Sequence, residues 1–181
     1  MKIVVAITAA SGAIYARQLL EALVASDAVE RIAVIYSKNA RAVAAHEGVA
    51  MPHSAKIEEY DNDNLFAAPA SGSARWEAMV VVPSSVGTMS RIAAGLSQTL
   101  IERAADVMLK ERRRLILVVR ETPLSLIHLR NMTALTEAGA IILPATPSFY
   151  SHPQGIDQLC ATVTERIVAQ LGIEAPHYEW E

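Results

Sequence analysis

The chain has 181 residues, 52% of them hydrophobic and 19% charged, which suits one domain with a sizeable core. A formal net charge of −3 excludes a basic nucleic-acid footprint, since Lys and Arg are scattered except at Lys110 to Arg114. A single cysteine, Cys160, excludes a disulfide framework and fits a reducing, cytoplasmic compartment, where it reads as a small buried hydrophobe.

Five short runs rich in Val and Ile recur along the chain: KIVVAIT, RIAVIYS, AMVVVPS, RLILVVR and AGAIILP. The first falls far short of the roughly 20 residues of a membrane span, so it reads as a strand and no span is expected. Their hydrophobicity is continuous rather than alternating, as in strands buried on both faces of a parallel sheet. Helical patterns lie between and after them at 13–25, 38–47, 88–112 with a break at Gly95, 123–138 and 156–171. Strand alternating with helix predicts a single-domain, doubly wound α/β sandwich over residues 1–173, followed by a short tail at 174–181. The polar stretch 52–75 reads as a connecting loop. In such sheets ligands bind beyond the carboxyl ends of the strands, so the residues ending each run carry the functional information.

The first strand ends in TAASGAIYA, where small residues around Ser11 and Gly12 lead into a helix start with free N–H groups, suited to an anion. A plain tight turn accounts for that stretch equally well. The second strand ends at Ser37, which also serves as an N-cap. The third ends in PSSVGT, placing Ser84, Ser85, Gly87 and Thr88 at another mouth. In the next helix Ser97 is the expected N-cap and Ile101, Ala104, Ala105 and Met108 form the core stripe. Arg103 and Lys110, seven residues apart, share one face that could clasp a phosphate; a solvated ladder with an Asp106 to Lys110 pair is the plainer alternative. The fourth strand ends in adjacent opposite charges, Arg120 and Glu121, with Thr122 read as cap and Pro123 as first position of the following helix. Arg120 can grip a phosphate or carbonyl bidentately, and Glu121 can orient it or exchange a proton. The fifth ends in PATPSFYSHPQ, a stiff loop bearing Phe149, Tyr150 and His152, with Arg166 on the last helix able to approach. His46-Glu47 lacks the second His of a zinc motif, so no metal is expected.

The segments ITAASGAIYA, RAADVMLKERRRLILVVRETPL, HLRNM, EAGAIILPATPSFY and HPQ together resemble the UbiX family of flavin prenyltransferases, over about Lys2 to Ile173 without large gaps. The resemblance implies a flavodoxin-like (Rossmann-like) fold in a homododecamer that binds reduced FMN and dimethylallyl phosphate. The dimethylallyl group is joined to flavin N5 and then C6, and the prenylated FMN serves UbiD-type decarboxylases. Carried over by motif, Ala9, Ala10, Ser11, Ser37, Ser85, Val86, Gly87, Thr88 and Arg120 are expected to contact FMN. Arg103, Lys110, Tyr150 and Arg166 are expected around the prenyl phosphate. Glu47, Glu121 and Lys110 are the expected catalytic groups, Glu47 handling a proton at the flavin and Glu121 protonating the departing phosphate. Trp76 and Trp180 are candidates for an aromatic wall over the allyl group.

Two departures stand out. Ala9-Ala10-Ser11 replaces the family's usual Gly-Ala-Ser, and Pro83-Ser84-Ser85-Val86-Gly87-Thr88 replaces Pro-Cys-Ser-Met-Lys-Thr, which removes a cation at Gly87. The rival enzymatic reading is an FMN-dependent cysteine decarboxylase, which carries an Ala-Ser-Ala-Asn-Thr loop absent here. A non-catalytic flavin-binding module has no use for Lys110, Glu121, Tyr150 and Arg166.

Overall fold

The computed structural model describes residues 1–174, so the expected tail at 174–181 and Trp180 fall almost wholly outside the described residues. Six strands form one parallel sheet: β1 (Lys2–Ile7), β2 (Arg31–Tyr36), β3 (Ile57–Tyr60), β4 (Ala78–Ser84), β5 (Arg114–Val119) and β6 (Ile141–Ile142). Their spatial order is β3-β2-β1-β4-β5-β6. The chain winds outward in one direction from β1 and then in the other from β4, so the crevice between these two strands is the switch point where such sheets bind ligands.

The helices are α1 (Ala13–Ala25), α2 (Ala40–His46), α3 (Val86–Ala93), α4 (Leu100–Lys110), α5 (Leu126–Glu137) and α6 (Ile156–Leu171). The period-two pleat sorts the strand side chains between the layers. Ile3, Val5, Ile7, Val80, Val82 and Ile116 pack with α1 and α6 on one face. Val4, Ala6, Met79, Val81, Leu115 and Leu117 pack with α3, α4 and α5 on the other. Both faces are therefore dry, which is why the strand runs are unbroken by polar residues. Cys160 is buried in the first layer beside Tyr15, and burial pushes its thiol upward, away from reactivity.

Four details differ from the sequence reading. The presumed loop 52–75 contains β3, whose IEEY pairs with Ile32–Ile35 along the sheet edge. Its half-polar pattern reflects that edge position, as Glu58 and Glu59 pair with Arg31 and Arg41 outside the core. The region 88–112 breaks at Gly95 (φ 70°) as expected, but Thr99 rather than Ser97 caps the second helix. The α5 cap is Ser125, which accepts from the His128 N–H while Nδ1 of His128 accepts from the Ser125 N–H, so Thr122 and Pro123 belong to the preceding loop. A capping box with histidine in the Glu position escaped the pattern. The expected Asp106 to Lys110 pair is replaced by Arg103–Asp106 and Lys110–Glu111.

Candidate functional site

The mouths of β1, β4 and β5 are tied together before any ligand arrives. Thr8, 1% exposed, donates its hydroxyl to Pro83 O at 2.7 Å and accepts the Ser85 N–H at 2.8 Å. Sequence reasoning missed it, because a lone Thr ending a strand carries no pattern. The Arg120 N–H donates to Ser84 O at 3.2 Å, and the Arg120 stem packs against Gly12, whose added Cβ would lie 4.0 Å from Arg120 Cγ. Gly12 has φ 108°, a conformation only glycine adopts cheaply, and it lets the β1 loop pass close to Arg120.

Glu47 closes this corner. Its carboxylate accepts the Gly12 N–H at 2.9 and 3.1 Å and the Ala13 N–H at 2.8 Å. Burial raises its pKa, but the Ser11 hydroxyl, these two N–H groups and the nearby Arg120 cation outweigh that and hold it below the ordinary carboxylate value. Glu47 is therefore ionised and anchored. The start of α1, expected to offer free N–H groups to an anion, is already filled by a side chain 35 residues away.

Ser85 caps α3 by accepting the Thr88 N–H at 3.3 Å, with Val86 and Gly87 in the first turn. Ser37 stands at the β2 mouth, its N–H bonded to Ile7 O, and Asn39 rather than Ser37 is the N-cap of α2. Ala9 and Ser11 are exposed at the β1 mouth, and Ala10 is buried. Two polar atoms at the β4 and β5 mouths, Ser84 Oγ and Arg120 Nε, are buried without a hydrogen-bond partner. Native proteins rarely leave such atoms unpaired, so a polar ligand fits there.

Beside this corner lies a cavity of about 600 Å³ against the open edge of β6. Leu143, Pro144 and Val163 give it apolar lining; Tyr150, Arg166, Thr146 and Ser148 add polar groups, with the carboxylate of Glu165 beside Arg166. The Ala145 N–H donates to Val119 O at 2.9 Å, which sets the cavity next to Arg120 and Glu121. Glu121 accepts its neighbour's Thr122 N–H at 3.0 Å through Oε1. Tyr150 and Arg166, distant in sequence, are thus brought together.

Lys110 is not brought to this edge within one chain, and Arg103, in the first turn of α4, is engaged by other partners. Helix α4 starts at the carboxyl edge, where Asn62 after β3 accepts the Leu100 N–H, and runs back to the amino edge. Lys110 pairs there with Glu111 at 2.7 Å, and β5 must climb roughly 20 Å, six residues at about 3.3 Å each, before Arg120 is reached. Arg103 donates to Ala70 O and to Asp106. Trp76 is 2% exposed in the core just ahead of β4, at the amino edge, so it does not line the cavity.

A doubly wound sheet with glycine and hydroxyls at its switch point, and an unpaired Arg120 Nε at the adjoining β5 mouth, has the form of a nucleotide-binding α/β protein, and the Flavoprotein family model matches residues 1–168. The flavin prenyltransferase UbiX of Thermoplasma acidophilum is 45% identical over 176 residues, covering 96% of each chain. With relatives at that level over nearly its whole length, the chain belongs to the UbiX family of flavin prenyltransferases. Among solved structures, a dodecameric FMN-dependent UbiX-like decarboxylase from Escherichia coli O157:H7 superimposes with a TM-score of 0.92 at 38% identity, covering 100% of both chains. AnUbiX in complex with FMN and dimethylallyl pyrophosphate gives 0.88 at 37% identity, covering 99% of this chain and 98% of that one.

Proposed function

We propose that this protein transfers the dimethylallyl group of dimethylallyl phosphate to N5 and C6 of reduced FMN, producing prenylated FMN. The observation that carries the reading is the adjacency of two sites, the strand mouths and a cavity along β6, joined where Ala145 pairs with Val119 at the end of β5. The β1/β4/β5 corner supplies unpaired buried donors for a flavin, and the cavity beside it combines an aliphatic wall with Tyr150 and Arg166, as an amphiphilic anion requires. A bare flavin carrier needs no such second cavity.

In this reading Ala9, Ala10, Ser11, Ser37, Ser85, Val86, Gly87, Thr88 and Arg120 hold the flavin, which when bound in its reduced state supplies the nucleophile. Tyr150 and Arg166 grip the prenyl phosphate and hold its negative charge as it leaves. Glu121 gives a proton to the departing phosphate, and Glu47, ionised at the start of α1, handles a proton at the flavin only by giving up part of its hydrogen bonding to Gly12 and Ala13. No Ser-His or Cys-His pair is required.

Assembly completes the site. The cavity stands at an open strand edge rimmed by exposed Leu126, Ile127, Phe149 and Ile156, an apolar surface that a second copy would cover. In this reading the chain assembles as a homododecamer, the state of the Escherichia coli relative, and a neighbouring copy supplies Arg103 and Lys110 to the prenyl phosphate while water is excluded from the developing allyl cation. Among the described residues no helix is long and apolar enough to cross a membrane. The enzyme works in the cytoplasm and hands its product to a UbiD-type decarboxylase.

Anaerobic incubation with reduced FMN and dimethylallyl phosphate, followed by mass analysis of the flavin, tests the reading. Gain of one dimethylallyl unit is expected. Unmodified flavin under conditions where the protein binds FMN would overturn it.

A further inference from the structure

The β4 mouth holds a cation that the sequence reading left unassigned. Arg91 lies one helical turn beyond Gly87, and its guanidinium is fixed from two sides: Nε donates to Glu102 Oε1 at 2.6 Å and Nη2 donates to Thr88 Oγ1 at 3.1 Å. The anchor is firm. Glu102 is 1% exposed and also accepts the Gln98 and Thr99 N–H groups at 2.9 and 3.1 Å, so it is anchored to the start of α4 as well as to Arg91. Nη1 has no hydrogen-bond partner among the described residues, and the side chain remains 45% exposed. A Cβ built on Gly87 would sit 3.5 Å from Nη1, so the bare glycine leaves the outer edge of the guanidinium open.

The neighbouring groups are arranged to match. Thr88 Oγ1 accepts from both Ser85 Oγ, at 3.1 Å, and Arg91, which uses its two acceptor positions and leaves its own proton to donate. No acidic residue stands in the first turn of α3, whereas the adjacent start of α1 carries Glu47. Of the two central mouths, that of β1 is therefore filled by an anion of the protein, whereas that of β4 turns the open Nη1 of the Arg91–Glu102 pair outward.

We infer that Arg91 binds the phosphate group of the flavin nucleotide and that Glu102 and Thr88 are its positioning residues. The inference rests on the flavin reading given above. It also accounts for Gly87: the cation missing at that position is supplied from one turn later, with its fork pre-set by a buried carboxylate and therefore ordered at little entropic cost.

The test is fluorescence titration of wild type, Arg91→Gln and Arg91→Lys with FMN and with riboflavin, which lacks the phosphate. Arg91→Gln strands Glu102 in the core, so the double variant Arg91→Gln/Glu102→Gln is titrated beside it. Loss of the charge should raise the FMN Kd roughly 10- to 100-fold in both Gln variants, the usual weight of a charge-assisted contact, with riboflavin affinity unchanged. Arg91→Lys should recover part of the loss. An FMN Kd in the double variant within about twofold of wild type, or parallel weakening of FMN and riboflavin, would overturn the inference, because a role limited to pinning α3 on α4 is blind to the phosphate. Wild type binding neither flavin would overturn the flavin reading itself.

Discussion

Replacing Glu47 by Gln probes a helix cap that no local pattern supplies. The carboxylate receives three N–H···O contacts from Gly12 and Ala13 at the positive end of α1. A charged acceptor contributes about 1.5–3 kcal/mol per hydrogen bond against about 0.5–1.5 for a neutral one, and the helix dipole adds about 0.3–1. The amide keeps the size and one oxygen acceptor, so the loss should be about 1–3 kcal/mol. For a chain of this length that lowers Tm by about 3–10 °C. The folded-state pKa of Glu47 is depressed, so its stabilisation is complete above the ordinary value of 4.5 and is lost as pH falls through the folded value. The wild-type and Glu47→Gln melting curves should therefore be well separated at neutral pH and converge under acid conditions. Thermal melts of flavin-free protein at fixed concentration across that range provide the assay. Equal Tm at neutral pH, or a gap that widens on acidification, refutes the cap.

Three further outcomes are expected. Arg120→Ala should raise the FMN Kd by roughly 10- to 100-fold, since it removes a guanidinium whose Nε has no protein partner; an unchanged Kd in a fluorescence titration contradicts its place at the flavin. Glu121→Gln should slow single-turnover formation of prenylated FMN by about 10²–10⁴-fold while leaving FMN affinity near wild type, the worth of a positioned general acid; a wild-type rate removes it from the chemistry. Lys110→Ala and Arg166→Ala should each be nearly inactive alone, yet oligomers reassembled from a mixture of the two should regain activity, because some sites then combine both intact residues; mixed oligomers with no activity contradict the shared site.

The layer architecture was legible from the sequence because it depends on local pattern. Unbroken Val and Ile runs specify strands dry on both faces, and the stripe Ile101, Ala104, Ala105, Met108 specifies the buried side of α4. Residues closing each run, such as Arg120 and Ser85, follow from where strands end. What depends on short edge pairing was harder to see: β3 has four residues, two of them Glu, and only its ladder with β2 makes it a strand. Partnerships across the fold were not legible at all. Glu47 on the α1 start and Arg91 on Glu102 join residues from separate elements, and the free energy of each contact exists only once packing has excluded water and fixed both partners. The same physics separates Lys110 from Arg120. The two stand ten residues apart in sequence, but a helix end and a strand end at opposite edges of one rigid sheet cannot meet, whatever their charges favour.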